Sequence, residues 1–132
     1  MKVNADTNVL VRAIVGDDEQ QAKVAQKTLA RANVVTVTLP ALCELVWVMS
    51  RGYGFATADI AEALRRLVDG ANVVVNGAAV EAGLALLDAG GDFADGVIAY
   101  EGRWLGAEVF VSFDRRAVKL LEAQGDAVRL LA

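Results

Sequence analysis

The 132-residue sequence contains no histidine, one cysteine and one proline. Without histidine, the chain can form no Ser-His-Asp triad, no Cys-His pair, no imidazole general base and no histidine-ligated zinc site. The lone Cys43 allows no internal disulfide, and a disulfide-stapled secreted scaffold would hold many more cysteines. We therefore expect a reducing compartment, the cytoplasm, and catalysis, if there is any, by other side chains.

Long apolar runs are also missing. The longest uncharged stretches, 32–43 and 70–80, are shorter than the roughly 18 to 20 apolar residues that a membrane span needs. We expect no transmembrane helix and no membrane partner. Asp6 and Arg12 interrupt the first apolar residues and no A-x-A-like cleavage site follows, so we expect no signal peptide and a fold that begins at the first residue.

Positive charge is scarce, because 13 Lys and Arg stand against 17 Asp and Glu, for a formal net charge of −4. This balance counts against an extended basic surface for nucleic acids. An acidic protein can still handle RNA where bound divalent cations supply the positive charge. With 55% hydrophobic residues, the chain has the composition of one globular domain spanning residues 1–132.

The apolar pattern predicts strands that alternate with helices. No two-residue hairpin turn joins the strands, so we predict an α/β sandwich with a mainly parallel sheet covered on both faces. The helix that begins near Pro40 and the next one, with Thr57 as its N-cap, predict a helical hairpin. The predicted strands are 2–5, 34–37, 72–75, 109–111 and 128–131, and the predicted helices are 9–15, 19–32, 40–52, 57–70, 78–87, 92–105 and 115–123.

Carboxylates fall at the ends of these apolar segments. Asp6 ends the first strand, and Asp114 lies just past the strand that ends at Val111. The carboxyl ends of parallel strands share one edge of a sheet, where ligands bind, so we expect these two acids to meet. Asp92 and Asp95 are spaced i, i+3 at the start of a helix, and their side chains project from neighbouring places.

Each acid has a structural explanation beside the functional one. Asp6, Asp92 and Asp114 can cap helices, and Asp95 can interact with a helix dipole. Glu44 lies in an otherwise apolar helix, and an ionised glutamate is rarely buried without a partner. So many acids at one sheet edge favour a single site. Oxygen ligands without His or Cys suit Mg²⁺ or Mn²⁺, which would bind and hydrolyse phosphodiesters without an imidazole.

Four segments carry a resemblance to a known family: Asp6-Thr7-Asn8-Val9-Leu10-Val11-Arg12, the helical Glu44, Asp92-Phe93-Ala94-Asp95 leading into Gly96-Val97-Ile98-Ala99, and Val111-Ser112-Phe113-Asp114. With them the sequence resembles, from end to end, the PIN-domain ribonucleases and among these the VapC-like toxins of bacterial type II toxin–antitoxin modules. Gly96 stands where the family often has alanine, which lowers helix propensity slightly.

The resemblance implies a three-layer α/β/α sandwich with a protruding helical hairpin. It also implies an endoribonuclease that cleaves single-stranded RNA with Mg²⁺ or Mn²⁺, acts as a homodimer and has a small DNA-binding antitoxin as its partner. The residues that it implies are Asp6, Glu44, Asp95 and Asp114 as metal-binding catalytic acids, Asp92 as an auxiliary acid, and Thr7, Asn8 and Ser112 as support for the site.

Several alternatives stay open at this stage. Arg12, Arg115 and Arg116 either hold RNA phosphates near the metal or are ordinary surface arginines. Tyr53 and Phe55, in a turn with flanking glycines, suit an interface with a partner. The main rival function is a metal- and partner-binding module without turnover. We do not expect an aspartate-dependent phosphatase, because its D-x-D-x-T arrangement is absent.

Overall fold

Strands and short helices alternate along the chain, as the apolar pattern predicts. The computed structural model describes all residues from Met1 to Ala132, which divide into two compact units, Met1–Asn76 and Gly77–Ala132. The first unit contains β1 (Lys2–Asn4), α1 (Thr7–Val15), α2 (Glu19–Arg31), β2 (Val34–Thr36), α3 (Leu39–Trp47), a π-helical turn (Val48–Gly52), α4 (Thr57–Val68) and β3 (Val73–Val74). The second contains α5 (Gly77–Asp88), α6 (Phe93–Trp104), β4 (Phe110–Ser112), α7 (Arg115–Ala123) and β5 (Val128–Leu130).

The strands of the first unit form a parallel sheet with β2 between β1 and β3. Val35 of β2 pairs with Val3 on one side and Val73 on the other, and it is 1% exposed. A β-branched side chain packs well on such a pleated, covered surface. The next residue in the ladder, Thr36, accepts a backbone hydrogen bond from Ala5, which directs the chain toward Asp6.

Side-chain caps start most of the helices in the first unit. Asp18 accepts a hydrogen bond from the amide of Gln21 at the start of α2, and Thr38 accepts one from Ala41 at the start of α3. The prediction that Thr57 caps α4 is wrong. The extended backbone ends one residue earlier, at Ala56 (φ −65°, ψ 146°), so Thr57 is already helical and the helix has no side-chain cap.

The helix that contains Glu44 ends in a π-helical turn, which sequence patterning did not predict. The amide of Tyr53 bonds the carbonyl of Val48, five residues back, at 3.1 Å. Gly54 then adopts a left-handed conformation (φ 68°), which a residue with a side chain rarely takes, and the chain turns toward α4.

The second unit has a parallel pair of strands, β4 and β5, packed with its helices. Its core includes Leu86, Ala99 and Leu121. Helices α5 and α6 approach very closely, because a Cβ atom on Gly96 would lie 2.4 Å from the carbonyl oxygen of Ala82. Glycine at position 96, which the sequence suggested was a mild departure, is therefore required by this contact.

The fold class predicted from the sequence, α/β with parallel strands, is confirmed. The strand pairs form two sheets, one in each unit, where the sequence predicted one. No helix has both the length and the apolar character needed to cross a membrane.

Candidate active site

Asp6 lies where the first strand gives way to the first helix. Its backbone is extended (φ −73°, ψ 157°), and its Oδ1 atom accepts a hydrogen bond of 2.8 Å from the amide of Thr7. This interaction makes Asp6 the N-cap of α1, which is the structural explanation that its position allowed. The helix consequently starts at Thr7, two residues before the apolar pattern that begins at Val9. The side chain remains exposed, so capping does not remove it from solvent.

Glu44 meets the Asp6 segment through Thr7. The Thr7 hydroxyl donates a 3.3 Å hydrogen bond to Oε1 of Glu44, although the two residues are 37 positions apart. The expectation that Glu44 is buried is wrong. In α3 the apolar neighbours Leu42 and Leu45 are fully buried, whereas Glu44 faces outward and is exposed. The apolar composition of this segment reflects its inner face and does not describe the surroundings of Glu44.

A pocket of about 430 Å³ in the first unit brings these groups together. Asp6 and Glu44 contribute its acidic part, and Thr7, Arg12 and Tyr53 also line it. Asn8, predicted to support the site, lies in the same wall. A guanidinium and a phenol therefore face the same space as two of the predicted metal-binding carboxylates.

A second groove, of about 810 Å³, lies between α1 and α2. It shares Asn8 and Arg12 with the pocket that contains Asp6. Arg12 thus contributes to two neighbouring concave surfaces.

In the second unit, the charges of Asp92 and Asp114 act on Asp95. Burial raises the pKa of Asp95 above its ordinary value of 3.8, and the negative charges of Asp92 and Asp114 raise it further. Like charges that share a site disfavour ionisation in this way. The structure therefore places Asp92 and Asp114 close enough to Asp95 for their charges to raise its pKa.

Asp92 and Asp114 begin their helices in different ways. Asp92 occupies the N-cap position of α6, but its side chain makes no capping hydrogen bond. Its interpretation as a side-chain cap is therefore wrong. Asp114 does cap α7, because its Oδ1 accepts from the amides of Arg116 (2.9 Å) and Ala117 (3.1 Å). Its structural explanation is confirmed, and one of its oxygens is oriented by the helix.

Ser112 and Arg116 lie beside Asp114. The Ser112 hydroxyl accepts a 2.9 Å hydrogen bond from the amide of Asp114, which holds the turn between β4 and α7. The guanidinium of Arg116 lies close to Gly90, where an added Cβ atom would be 3.0 Å from Nη2. Arg115 is exposed. Ser112 thus positions the backbone that carries Asp114.

Sequence reasoning missed an interaction that fixes one wall of the first pocket. Asp17 accepts a 2.8 Å hydrogen bond from the Tyr53 hydroxyl and forms a 3.1 Å ion pair with Arg12. In the sequence, Gly16-Asp17-Asp18 directly follows the predicted helix 9–15 and has the composition of a helix end. Tyr53 is 36 positions away from Asp17, so no local pattern could reveal their contact.

The structure contains no group of three or more His, Cys, Asp or Glu side chains arranged to hold a metal ion. The donor types nevertheless fit a hard cation, since all of them are carboxylate oxygens. The raised pKa of Asp95 also fits a place where added positive charge would be stabilising.

No curated protein matches the chain. The family model for the PIN domain matches residues 4–122, which include every acid described above. Members of this family are generally nucleases, and they typically use divalent metal ions. The match extends over most of the sequence and includes both units, so the chain belongs to the PIN domain family.

Proposed function

We propose that this protein is a metal-dependent endoribonuclease and the toxin of a type II toxin–antitoxin module, built as a single PIN domain over residues 1–132. The observation that carries the proposal is the acidic group around Asp95, whose pKa is raised by burial, Asp92 and Asp114. A half-buried carboxylate that neighbouring carboxylates repel is stabilised when a divalent cation binds beside it. The family match and the absence of histidine both support hydrolysis that depends on a metal ion.

Asp6, Glu44, Asp95 and Asp114 are proposed as the metal-binding acids, with Asp92 as an auxiliary one. Bound Mg²⁺ or Mn²⁺ would lower the pKa of a water molecule and neutralise charge on the phosphodiester. The chain itself orients the carboxylates. The α7 amides fix one oxygen of Asp114, and the Thr7 hydroxyl fixes one oxygen of Glu44.

A cleavage assay with single-stranded RNA and Mn²⁺ tests this function. We expect Asp6→Asn and Asp95→Asn each to abolish cleavage while the far-UV circular dichroism stays unchanged. Asp59→Asn is a matched control, since Asp59 also lies in the first turn of a helix. Cleavage at the wild-type rate by either site variant would contradict the mechanism.

The shared action of the acids on one metal site is a separate step of the proposal. Asp6→Asn and Asp95→Asn should each weaken Mn²⁺ binding in a calorimetric titration. The double variant should bind Mn²⁺ only slightly less tightly than the more impaired of the two single variants. Substitutions of groups that act as a unit do not have additive effects on affinity. Additive losses would indicate two independent sites.

The toxin role, the antitoxin and the homodimer rest on the resemblance of the sequence to VapC-like proteins. Expression of the wild type should arrest growth, and Asp95→Asn should relieve the arrest. A neighbouring reading frame for a small DNA-binding protein that suppresses the arrest would support the toxin role, and light scattering would test the dimer. A protein that is inert toward RNA but binds such a partner tightly would favour the alternative, a catalytically silent module.

A further inference from the structure

The first pocket has one aromatic side chain in its lining, which the acids do not explain. Tyr53 lines the same 430 Å³ space as Asp6 and Glu44. Its ring stacks against Phe55, with centroids 5.9 Å apart and planes inclined by 25°. Each of these residues is 38% exposed, and Phe55 lies outside the pocket lining, next to Tyr53. We call Tyr53 and Phe55 the ring pair.

Hydrogen bonds hold the ring pair in place. The Tyr53 hydroxyl donates to Asp17 at 2.8 Å, and the backbone amide of Tyr53 bonds the carbonyl of Val48 at 3.1 Å. The amide of Phe55 bonds the carbonyl of Met49 at 3.0 Å, and Met49 is buried. Both residues are therefore anchored to the π-helical turn, and ordering them for a ligand needs little further loss of conformational entropy.

The pocket that Tyr53 lines also contains one cationic side chain. Arg12 lines the pocket together with Tyr53, and its ion pair with Asp17 at 3.1 Å connects it to the same anchor. Single-stranded nucleic acids are bound by aromatic rings that stack on bases and by cations that follow the backbone. The first unit presents both features beside two of the proposed catalytic acids.

We propose that the ring pair is a stacking platform for a base of single-stranded RNA, with Asp17 as the positioning residue that holds Tyr53 and Arg12. The proposal rests on the proposed ribonuclease function, because it places a base of the substrate beside the acids that act on its phosphate. Tyr53 lines the pocket that holds two of the proposed metal-binding acids, where a bound cation would receive the phosphate next to the stacked base, and this location favours RNA over a protein partner. Stacking tolerates every base, so the platform gives affinity with little sequence selection.

Binding and cleavage of a 12-nucleotide single-stranded RNA of mixed sequence test the platform. Tyr53→Ala and Phe55→Ala should each raise KM about tenfold and leave kcat within about twofold of the wild-type value, as for loss of uniform binding by a stacked base. Fluorescence anisotropy in the Asp95→Asn background should show the same loss of affinity. Tyr53→Phe keeps the ring but removes its hydrogen bond to Asp17, so it should weaken binding no more than Asp17→Asn does and much less than Tyr53→Ala.

Two controls separate stacking from other effects. Trp47→Ala removes an aromatic side chain of the first unit that is 62% exposed and does not line the pocket, and it should change neither KM nor Kd. An RNA of the same length with abasic riboses should bind the parent more weakly and lose nothing further with Tyr53→Ala. If Phe55→Ala does not fold, Phe55→Leu keeps an apolar contact and removes the ring.

Asp17→Asn tests the positioning role. It should raise KM by a smaller factor than Tyr53→Ala. Added to Tyr53→Ala, it should raise KM by less than it does in the wild type, because only its ion pair with Arg12 is left to remove. Additive losses would show that Asp17 acts independently of Tyr53 and would overturn its assignment.

The remaining outcomes distinguish the platform from the proposed function. Wild-type KM and Kd in both alanine variants, with cleavage intact, would overturn the platform and leave the ribonuclease standing. A wild type that binds RNA through the ring pair but never cleaves it would overturn the ribonuclease and leave the platform. Loss of RNA binding together with a change from dimer to monomer in light scattering would instead identify the ring pair as a contact between copies.

Discussion

Asp6 and Glu44 in the first unit are held by other means than Asp95 in the second unit. In the first unit, polar contacts position Asp6 and Glu44, through the amide and the hydroxyl of Thr7. In the second unit, the helix that carries Asp95 is placed by backbone packing, since α6 presses Gly96 against α5. Like charges then surround Asp95 instead of hydrogen-bond donors.

This difference indicates where a cation matters most. The exposed carboxylates of the first unit are hydrated and take part in hydrogen bonds, so they tolerate the metal-free state. The half-buried Asp95 is repelled by the charges of Asp92 and Asp114 as long as no cation is bound beside it. Metal binding should consequently stabilise the second unit more than the first, and the predictions below test that contrast.

The largest effect is expected for Gly96→Ala. The added methyl group would lie 2.4 Å from the carbonyl oxygen of Ala82, and a helix backbone cannot move aside easily. We expect the free energy of unfolding to fall by about 3 kcal/mol, at the upper end for overpacking. Urea denaturation monitored by circular dichroism would measure the change.

Gly102→Ala is the matched control in the same helix. No atom lies within 4 Å of a Cβ placed there, and replacing a helical glycine with alanine should stabilise the protein by about 0.5 to 1 kcal/mol. Equal destabilisation by the two substitutions would show that close packing does not position α6.

The next largest change in stability is expected when the capping aspartates are removed, and one such aspartate from each unit can be compared. Asp18→Ala should destabilise the protein by about 1 kcal/mol, since it removes the N-cap of α2. Asp114→Ala removes the N-cap of α7 but also relieves the repulsion on Asp95. It should therefore lower the stability by less than Asp18→Ala does. Thermal melting in EDTA would measure both.

Asp114→Asn keeps an N-cap and removes the charge, since asparagine caps helices as well as aspartate does. It should therefore raise the melting temperature of the metal-free protein. A lower melting temperature in EDTA would contradict the crowding of acids in the second unit.

A smaller, pH-dependent effect is expected for Asp95→Asn. Because the folded-state pKa of Asp95 is raised above 3.8, its ionisation favours the unfolded state. The associated stability is fully present below pH 3.8 and is lost as the pH rises through the folded-state pKa. Asp95→Asn should thus stabilise the metal-free protein more at pH 7 than at pH 3.5, in denaturant titrations at each pH. Asp59→Asn should show no such increase toward neutral pH.

The smallest effect is spectroscopic and belongs to the first unit. The hydrogen bond to Asp17 raises the pKa of Tyr53 above its ordinary value of 10.0 and lowers the pKa of Asp17 below 3.8. In an ultraviolet titration, Asp17→Asn should therefore bring the ionisation of one tyrosine to lower pH. The stability linked to Tyr53 is present below pH 10.0 and is lost above it. An unchanged titration would show that the contact is not formed in solution.

Much of the fold follows from local patterns in the sequence. The β-branched run around Val35 and the apolar spacing of the helices can be read from neighbouring residues in the sequence. The predicted elements therefore match the observed ones closely. Glu44 shows the limit of such signals. Its neighbours are apolar because they face the core, and the outward position of Glu44 depends on the helical phase.

The candidate site was predictable in its acids and less so in their surroundings. The positions of Asp6 and Asp114 at strand ends are sequence signals, and both proved to cap helices. The contact between Asp17 and Tyr53 arises only after the chain folds, because 36 residues separate them. The requirement for glycine at position 96 also arises only in the folded chain, because it is the neighbouring helix α5 that leaves no room for a Cβ atom.

The π-helical turn after α3 makes the direction of Tyr53 sensitive to chain length. Each residue of a helix rotates the next side chain by about 100°, so one deletion between Val48 and Gly52 would turn the phenol away from its carboxylate partner. Insertions and deletions at this turn would change the direction of one aromatic side chain while the buried residues of α3 keep their places.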